Sequence, residues 1–242
     1  MRKSIVAAMI AASWATTACS YHRSEDGGPT VSRNYQVGNF QKLEVAGPYE
    51  VEVRTGGNPG VSATGGERLL SQTTVEVRGD KLVIRPQEQH HFFQWGFGSH
   101  GKARFTVTVP QLSGAMIAGS GGINVDKVQG DAFEGTVAGS GDLAVASINV
   151  QALKLSIAGS GGLKVEGGKA QSGDYSIGGS GDIDASGIQT QQAKVSIAGS
   201  GSVKANAAAT ADVSIMGSGD VDLSGGAKCN VSKAGSGSVR CS

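Results

Sequence analysis

Between Met116 and Ser242 the apolar residues fall on every second position, in short runs broken at regular intervals by glycine. Leu153, Leu155 and Ile157 precede one break, and Leu163 and Val165 follow it; Val213 and Ile215 precede another, and Val221 and Leu223 follow it. A period of two puts these side chains on one face of extended chain, so the pattern predicts strands rather than helices. The breaks carry a recurring motif: Ser156–Gly161 and Ser196–Gly201 both read SIAGSG. The first bend glycine falls at Gly119, Gly139, Gly159, Gly179 and Gly199, each 20 residues after the last, then at Gly217 and Gly235, each 18 after. Fixed spacing of this size means stacked units, because two short strands cannot bury an apolar face until the next unit covers it.

The predicted fold class is therefore all-β: a β-solenoid or β-helix of about seven stacked coils of 18–20 residues, preceded by an irregular β-rich region. Each coil reads as strand, glycine bend, strand and return turn. Stacked bend residues lie about 4.8 Å from their counterparts, which leaves room for little beyond Gly and Ser; glycine also supplies the backbone angles of a sharp corner.

The outward positions support this register. The residue between the two inward ones after each bend reads Asn124, Ala144, Lys164, Asp184, Lys204, Asp222, Arg240, and the last five alternate in sign. Stacked, they form a charge ladder worth about 0.2–1 kcal/mol per neighbouring pair. Before the bend, Thr136, Ser156, Ser176, Ser196, Ser214 and Ser232 make a hydroxyl column. Directly after it stand Gly122, Asp142, Gly162, Asp182, Ser202, Asp220 and Ser238. Aspartates in alternate coils keep like charges roughly 9.6 Å apart, near a Debye length.

The last coil departs from the pattern. Lys233 stands where Ile would point inward, as suits a coil open to solvent on one side. Cys229 and Cys241 lie six residues either side of Gly235, both on inward parity, so a disulfide between them is expected to close and cap that coil.

Upstream, strand candidates are Phe40–Val45, Tyr49–Arg54, Thr73–Arg78, Lys81–Arg85 and Ala103–Val109, with one possible helical turn at Glu67–Leu70. No proline follows Pro110, as ladders that use every N–H require. Residues 1–19 read as a signal peptide: Arg2 and Lys3, an apolar run from Ile5 to Ala15, then Thr16-Thr17-Ala18-Cys19. This end resembles a lipoprotein cleavage box with Cys19 as the lipidated residue; Ser20 behind it points to an outer-membrane lipoprotein of the cell envelope, facing periplasm or cell surface. The expected organisation is 1–19 signal peptide, 20–33 flexible tether, 34–113 N-terminal β-rich region and 114–242 repeat solenoid with its disulfide cap.

The strands "FQKLEVAGPYEVEV", the "GGERLL" stretch before "VEVRGDKLVI", the "AGSGD" bends and the closing "CNVSKAGSGSVRC" resemble the GIN domain family (DUF2807), named for auto-transporter adhesin heads, over nearly all of residues 34–242. The resemblance implies a β-solenoid with no established enzymatic activity. No membrane β-barrel follows the repeats, so a complete autotransporter is not expected.

Net charge +1 gives no basic field for nucleic acid. Arg78-Gly79-Asp80 spells a cell-attachment tripeptide, but Gly-Asp between alternating strands reads first as a hairpin turn. Asp142, Asp182 and Asp220 skip coils, which works against a calcium cage. Serines abound with no histidine inside the repeats to activate them, and no paired carboxylates or phosphate loop occur; catalytic residues, metal and cofactor are expected to be absent. The exception in texture is His90-His91-Phe92-Phe93-Gln94-Trp95-Gly96-Phe97-Gly98-Ser99-His100, with four of the chain's twelve Phe, Trp and Tyr residues and three of its four histidines. It reads either as a loop folding aromatics over an exposed end of the core or as a binding loop built on His90, His91, Phe92, Phe93, Trp95, Phe97 and His100. The expected function is a noncatalytic, lipid-anchored envelope protein presenting its solenoid for binding or adhesion to an envelope, glycan or protein ligand; the alternative is a carbohydrate-active or other enzymatic β-helix.

Overall fold

A computed structural model describes residues 28–87 and 103–242. The N-terminal part holds β1 (Thr30–Tyr35), β2 (Lys42–Ala46), β3 (Tyr49–Thr55), β4 (Gly60–Gly66), α1 (Glu67–Ser71), β5 (Thr73–Arg78), β6 (Lys81–Pro86) and β7 (Ala103–Val109). The repeats follow as β8 (Gly114–Gly119), β9 (Gly122–Gly139), β10 (Asp142–Gly159), β11 (Gly162–Val165), β12 (Gly168–Gly179), β13 (Asp182–Ala185), β14 (Ile188–Gly199) and β15 (Ser202–Asn206). Then come β16 (Thr210–Gly217), β17 (Asp220–Ser224), β18 (Lys228–Ala234) and β19 (Val239–Cys241). Together they wind a β-solenoid of about six turns, so the predicted fold class holds.

Parallel pairing between successive coils runs in the expected register. Gly139 pairs with Gly159, Gly159 with Gly179, Gly179 with Gly199 and Gly199 with Gly217. Inside each 20-residue coil the inward alternation slips twice. In the coil from Asp142, Ala146 and Ser147 both face out, and so do Gln151 and Ala152. Two consecutive outward residues mark a corner, so the coil has three faces, not the two predicted. Leu143 and Val145 fill the first, Ile148 and Val150 the second, Leu153, Leu155 and Ile157 the third, all buried. Where the period drops from 20 to 18, the second face is shortened: Ala207 alone points in, and the buried Thr190 hydroxyl donates to the Asn206 carbonyl.

Side-chain volume is traded between layers. Phe133, Leu153, Gly173 and Ala193 stack in one inward column, and Gly135, Leu155, Tyr175 and Val195 in the next. Phe133 sits beside Gly135, and Gly173 makes room for the Tyr175 ring, since a Cβ there would lie 2.4 Å from the phenol oxygen. Interiors packed at crystal-like density allow a large residue only where a neighbour is small.

The N-terminal region is not a separate layer. β2 pairs in parallel with both β6 and β8, and β3 with both β7 and β9, so the β2–β3 coil lies between the β6–β7 coil and the repeats. The expected division at 113/114 thus has no counterpart in the hydrogen bonding, because the apolar edge of β8 and β9 is covered by β2 and β3. Beyond β6 and β7 the stack stops: β5 runs antiparallel to β6, β4 to β7 and β1 to β4. Helix α1 sets Leu69 and Leu70 into this end. β1 and β4 were not predicted, and the expected tether gives way at Thr30, where the chain turns extended and pairs with Gly66. Phe105 packs edge-on to Tyr49 at 5.4 Å between ring centres and tilted to Tyr35 at 6.4 Å. The Tyr49 hydroxyl meets the Thr73 hydroxyl at 3.0 Å, which donates in turn to the Leu69 carbonyl at 2.8 Å.

Candidate binding surface

The glycine bends form one vertical corner. Gly159 has φ +135°, and a Cβ on it would fall 2.2 Å from the Gly139 carbonyl oxygen; a Cβ on Gly161 would fall 2.2 Å from the Gly141 oxygen. The first position needs a left-handed backbone and both need hydrogen in place of a side chain. The serine between them is exposed, and its N–H ties one corner to the last: Ser160 donates to Gly139 O, Ser180 to Gly159 O and Ser200 to Gly179 O, each at 2.9 Å. Gly47 stands in the same column, donating to the Ala118 carbonyl at 3.0 Å.

One coil breaks the column. β6 and β7 flank the same corner that Gly47-Pro48 turns between β2 and β3, because β6 lies on β2 and β7 on β3. Where the neighbouring coil turns in two residues, this coil joins Pro86 to Ala103 through residues 87–102. The predicted contact residues His90, His91, Phe92, Phe93, Trp95, Phe97 and His100 lie outside the described residues, and so does Cys19. What the structure places are the roots: Gln87 N–H donates to the Gln72 carbonyl at 2.8 Å, and Ala103 is buried against Tyr49.

The post-bend aspartates have a use that the sequence reading missed. Asp142 Oδ1 accepts from the Gly162 N–H at 3.0 Å; Asp182 Oδ1 accepts from the N–H and hydroxyl of Ser202; Asp220 Oδ1 accepts from Ser238 N–H at 2.9 Å and its hydroxyl at 2.6 Å. Each carboxylate leans over the next coil: over Gly162 it takes the space of a side chain, since a Cβ there would come 2.6 Å from Asp142 Oδ1, and over Ser202 and Ser238 it takes the hydroxyl as a second donor. At the other end Glu50 is stacked on Gly122 and its carboxylate likewise fills the side-chain space there, 2.7 Å from where a Cβ would fall. Alternation along the stack thus pairs acceptor with donor, and like-charge spacing is a by-product. The Ser238 hydroxyl and then its N–H hold the Asp220 carboxyl below the usual carboxylate range.

The predicted charge ladder is in register from Lys164 through Asp184, Lys204 and Asp222 to Arg240. Among the described residues, its rungs do not close into direct ion pairs. Lys164 reaches Glu166, just past the end of its own strand, at 3.3 Å, and Asp184 accepts the Ser186 hydroxyl at 2.6 Å, which with the Ser186 N–H and the flanking lysines lowers its carboxyl pKa. A second ladder, unforeseen, runs up the third face: Glu134, Lys154, Asp174, Lys194, Asp212 and Asn230. It does make contacts, Lys154 to Glu134 at 2.8 Å and Asn230 to Asp212 at 3.2 Å. Its signal was the same alternation at 20- and then 18-residue spacing. A shallow, open depression lies along it between Lys194, Ser196, Asp212 and Ser214.

Arg78-Gly79-Asp80 is the tight hairpin expected, with Arg78 paired to Lys81 and Gly79 at φ +63°. Its charged ends are engaged, Arg78 with Glu76 at 2.6 Å and Asp80 with Lys42 at 2.8 Å. The Lys42 ammonium holds the Asp80 carboxyl below its ordinary value. Cys229 and Cys241 are disulfide-bonded, with Cα atoms 6.7 Å apart. Lys233 pairs in register with Ile215, and its ammonium donates to the Gly237 carbonyl at 2.7 Å. Among the described residues no cluster of His, Cys, Asp and Glu is arranged to hold a metal ion, and no helix is long and apolar enough to cross a membrane.

The model of the family described as "Putative auto-transporter adhesin, head GIN domain" matches residues 39–227. The chain belongs to the GIN domain family. Its fold is shared with solved structures. A "putative adhesin" from Bacteroides fragilis superposes with TM-score 0.78 at 21% identity, over 88% of this chain and 97% of that one. A "putative lipid binding protein" from Parabacteroides distasonis gives TM-score 0.71 at 23% identity, over 90% and 98%. A further "putative adhesin", from Parabacteroides merdae, gives 0.68 at 20%, over 89% and 97%. A search of the curated proteins gave no match. At these identities the likeness speaks for the fold.

Proposed function

We propose that this GIN domain protein is a noncatalytic binding module of the cell envelope, anchored by lipid on Cys19 and contacting its ligand through residues 90–100. The observation that carries the reading is the broken corner column: one coil replaces a two-residue bend with residues 87–102, and insertions in repeat folds concentrate on the binding side. That insert holds Phe92, Phe93, Trp95 and Phe97, side chains that supply contact area at low entropy cost. Its root at Ala103 opens β7, the stack strand covered by β4 and then β1, so the insert leaves the same end of the stack at which the described chain begins. The adhesin family supports an envelope or surface location; a glycan, a protein or lipid headgroups are the ligand classes in keeping with the relatives.

The carboxylates of the solenoid faces support a noncatalytic reading. Asp142, Asp182 and Asp220 serve the next coil's donors, and Glu134 serves Lys154. A pair free to act as acid and base on a glycosidic bond would be spared such partners.

The test is binding of purified protein to intact envelopes, compared with a variant in which residues 90–100 are replaced by a Gly-Ser linker. At least about tenfold weaker binding is expected, the effect of losing two or three anchoring aromatics; equal binding discards the contact loop. Metabolic labelling with a palmitate analogue should mark the wild type and not Cys19→Ser; label that persists in the variant discards the anchor.

A further inference from the structure

The two ends of the stack are closed in different ways, and the C-terminal closure is covalent and accessible. The last coil, β18 and β19, covers a complete inward ring: Cys229 lies over Ala211, Val231 over Val213, Lys233 over Ile215, Val239 over Val221 and Cys241 over Leu223. The covered ring is buried, with Val213 and Ile215 each 2% exposed. The covering one is not: Val231 is 45% exposed, Lys233 and Cys241 are exposed and Cys229 is half-buried. A coil paired on one side only, with a charge in place of an apolar residue, has little burial to hold it. Besides its ladder bonds it has the disulfide across it, the Lys233 contact with Gly237, and two exposed side-chain contacts to the coil below, Ser238 with Asp220 and Asn230 with Asp212.

We propose that residues 228–241 are a redox-released end coil, which a dithiol can open without unfolding the rest of the solenoid. The thiolate of the dithiol attacks whichever of Cys229 and Cys241 it reaches, forming a mixed disulfide and freeing the other sulfur as thiolate. The second thiol of the reagent then displaces the protein sulfur, leaving a cyclic disulfide. Two electrons and two protons end on Cys229 and Cys241. The freed coil detaches and exposes Ala211, Val213, Ile215, Val221 and Leu223 as a new apolar end, from which the Lys233 charge has been removed. An unblocked, apolar strand edge is a template for pairing, so the closed disulfide keeps that edge covered.

Amide hydrogen exchange on the full chain, with and without dithiothreitol, tests this. On reduction, exchange at residues 228–241 is expected to accelerate about a hundredfold, the factor a loop of this length is worth in the chain-entropy model, while residues 122–199 keep their protection. Cys229→Ser/Cys241→Ser should show the same local exchange without reductant. Unchanged exchange at 228–241, in the reduced protein or in the double variant, overturns the proposal because the coil then holds itself. Loss of protection spreading through 122–199 overturns it equally, because the disulfide is then a staple for the whole fold.

Discussion

The solenoid begins in irregular structure and ends in its own repeat. At the N-terminal end, β4 and β5 run antiparallel to the stack strands they cover and β1 antiparallel to β4, α1 plugs the opening with Leu69 and Leu70, and Tyr49, Tyr35 and Phe105 fill the space behind. At the C-terminal end the last coil is in register with the coil below, and only Lys233 and one disulfide distinguish it. A parallel ladder is satisfied only by another coil, so stopping it takes either strands of the opposite sense or an end that repels further pairing. The first solution is made of buried surface and the second of charge and a covalent bond. The N-terminal end is therefore expected to depend on packing and the C-terminal end on redox state and pH.

The largest expected effect lies between the two ends. Gly161→Ala puts a Cβ 2.2 Å from the Gly141 carbonyl oxygen, where both partners are backbone. The coils must separate, at a cost of about 4 kcal/mol or more, read as a lower urea midpoint for the whole chain. Gly237→Ala meets the Gly219 oxygen still closer, at 2.0 Å, but sits in the last coil. Its damage should stay within residues 228–241 in hydrogen exchange; global loss of stability would erase the contrast between the ends. Next comes the plug: Leu70→Ala removes a buried side chain from the N-terminal end and should cost about 2–5 kcal/mol, again in a single global transition. The smallest effect is electrostatic. Asp220 has its carboxyl pKa depressed in the folded state by Ser238, so its contribution is present above the unfolded carboxylate pKa, near 4, and is lost as pH falls through the lower folded value. Exchange at Ser238 and its neighbours should quicken below about pH 4, and Asp220→Asn should flatten that dependence.

The regular half was legible because its signal repeats. Period two gave the strands, the 20- and 18-residue spacing gave the register, and the parity of Cys229 and Cys241 gave the disulfide. Three-sidedness was not, since a corner is written only as two outward residues in sequence, and Ala146-Ser147 looks like any polar pair. β4 was missed because GVSATGG lacks large apolar residues; its Val61 and Ala63 are buried by what packs on them rather than by propensity. The order of the coils was also hidden. Nothing in the pattern of Lys42–Thr55 says that it sits between 81–109 and the repeats, because pairing across that distance is decided by which edges remain open. The Asp-over-Ser contacts were visible as an alternation but were explained by repulsion, when the donors standing 18 or 20 residues later were the cause. Of the candidate binding loop, the sequence supplies the aromatic composition and the structure its roots at Gln87 and Ala103.

The central claim is that the glycine corners stand in one column, and a distance between two of them tests it most directly. Spin labels on Ser140→Cys and Ser218→Cys, with Cys19 replaced by Ser and the native disulfide closed, are separated by four coil steps along that column. Pulsed electron resonance should give a narrow distribution centred near 19 Å, four times the strand spacing of about 4.8 Å. A distribution centred beyond about 30 Å, more than six such spacings, would contradict the stacked solenoid.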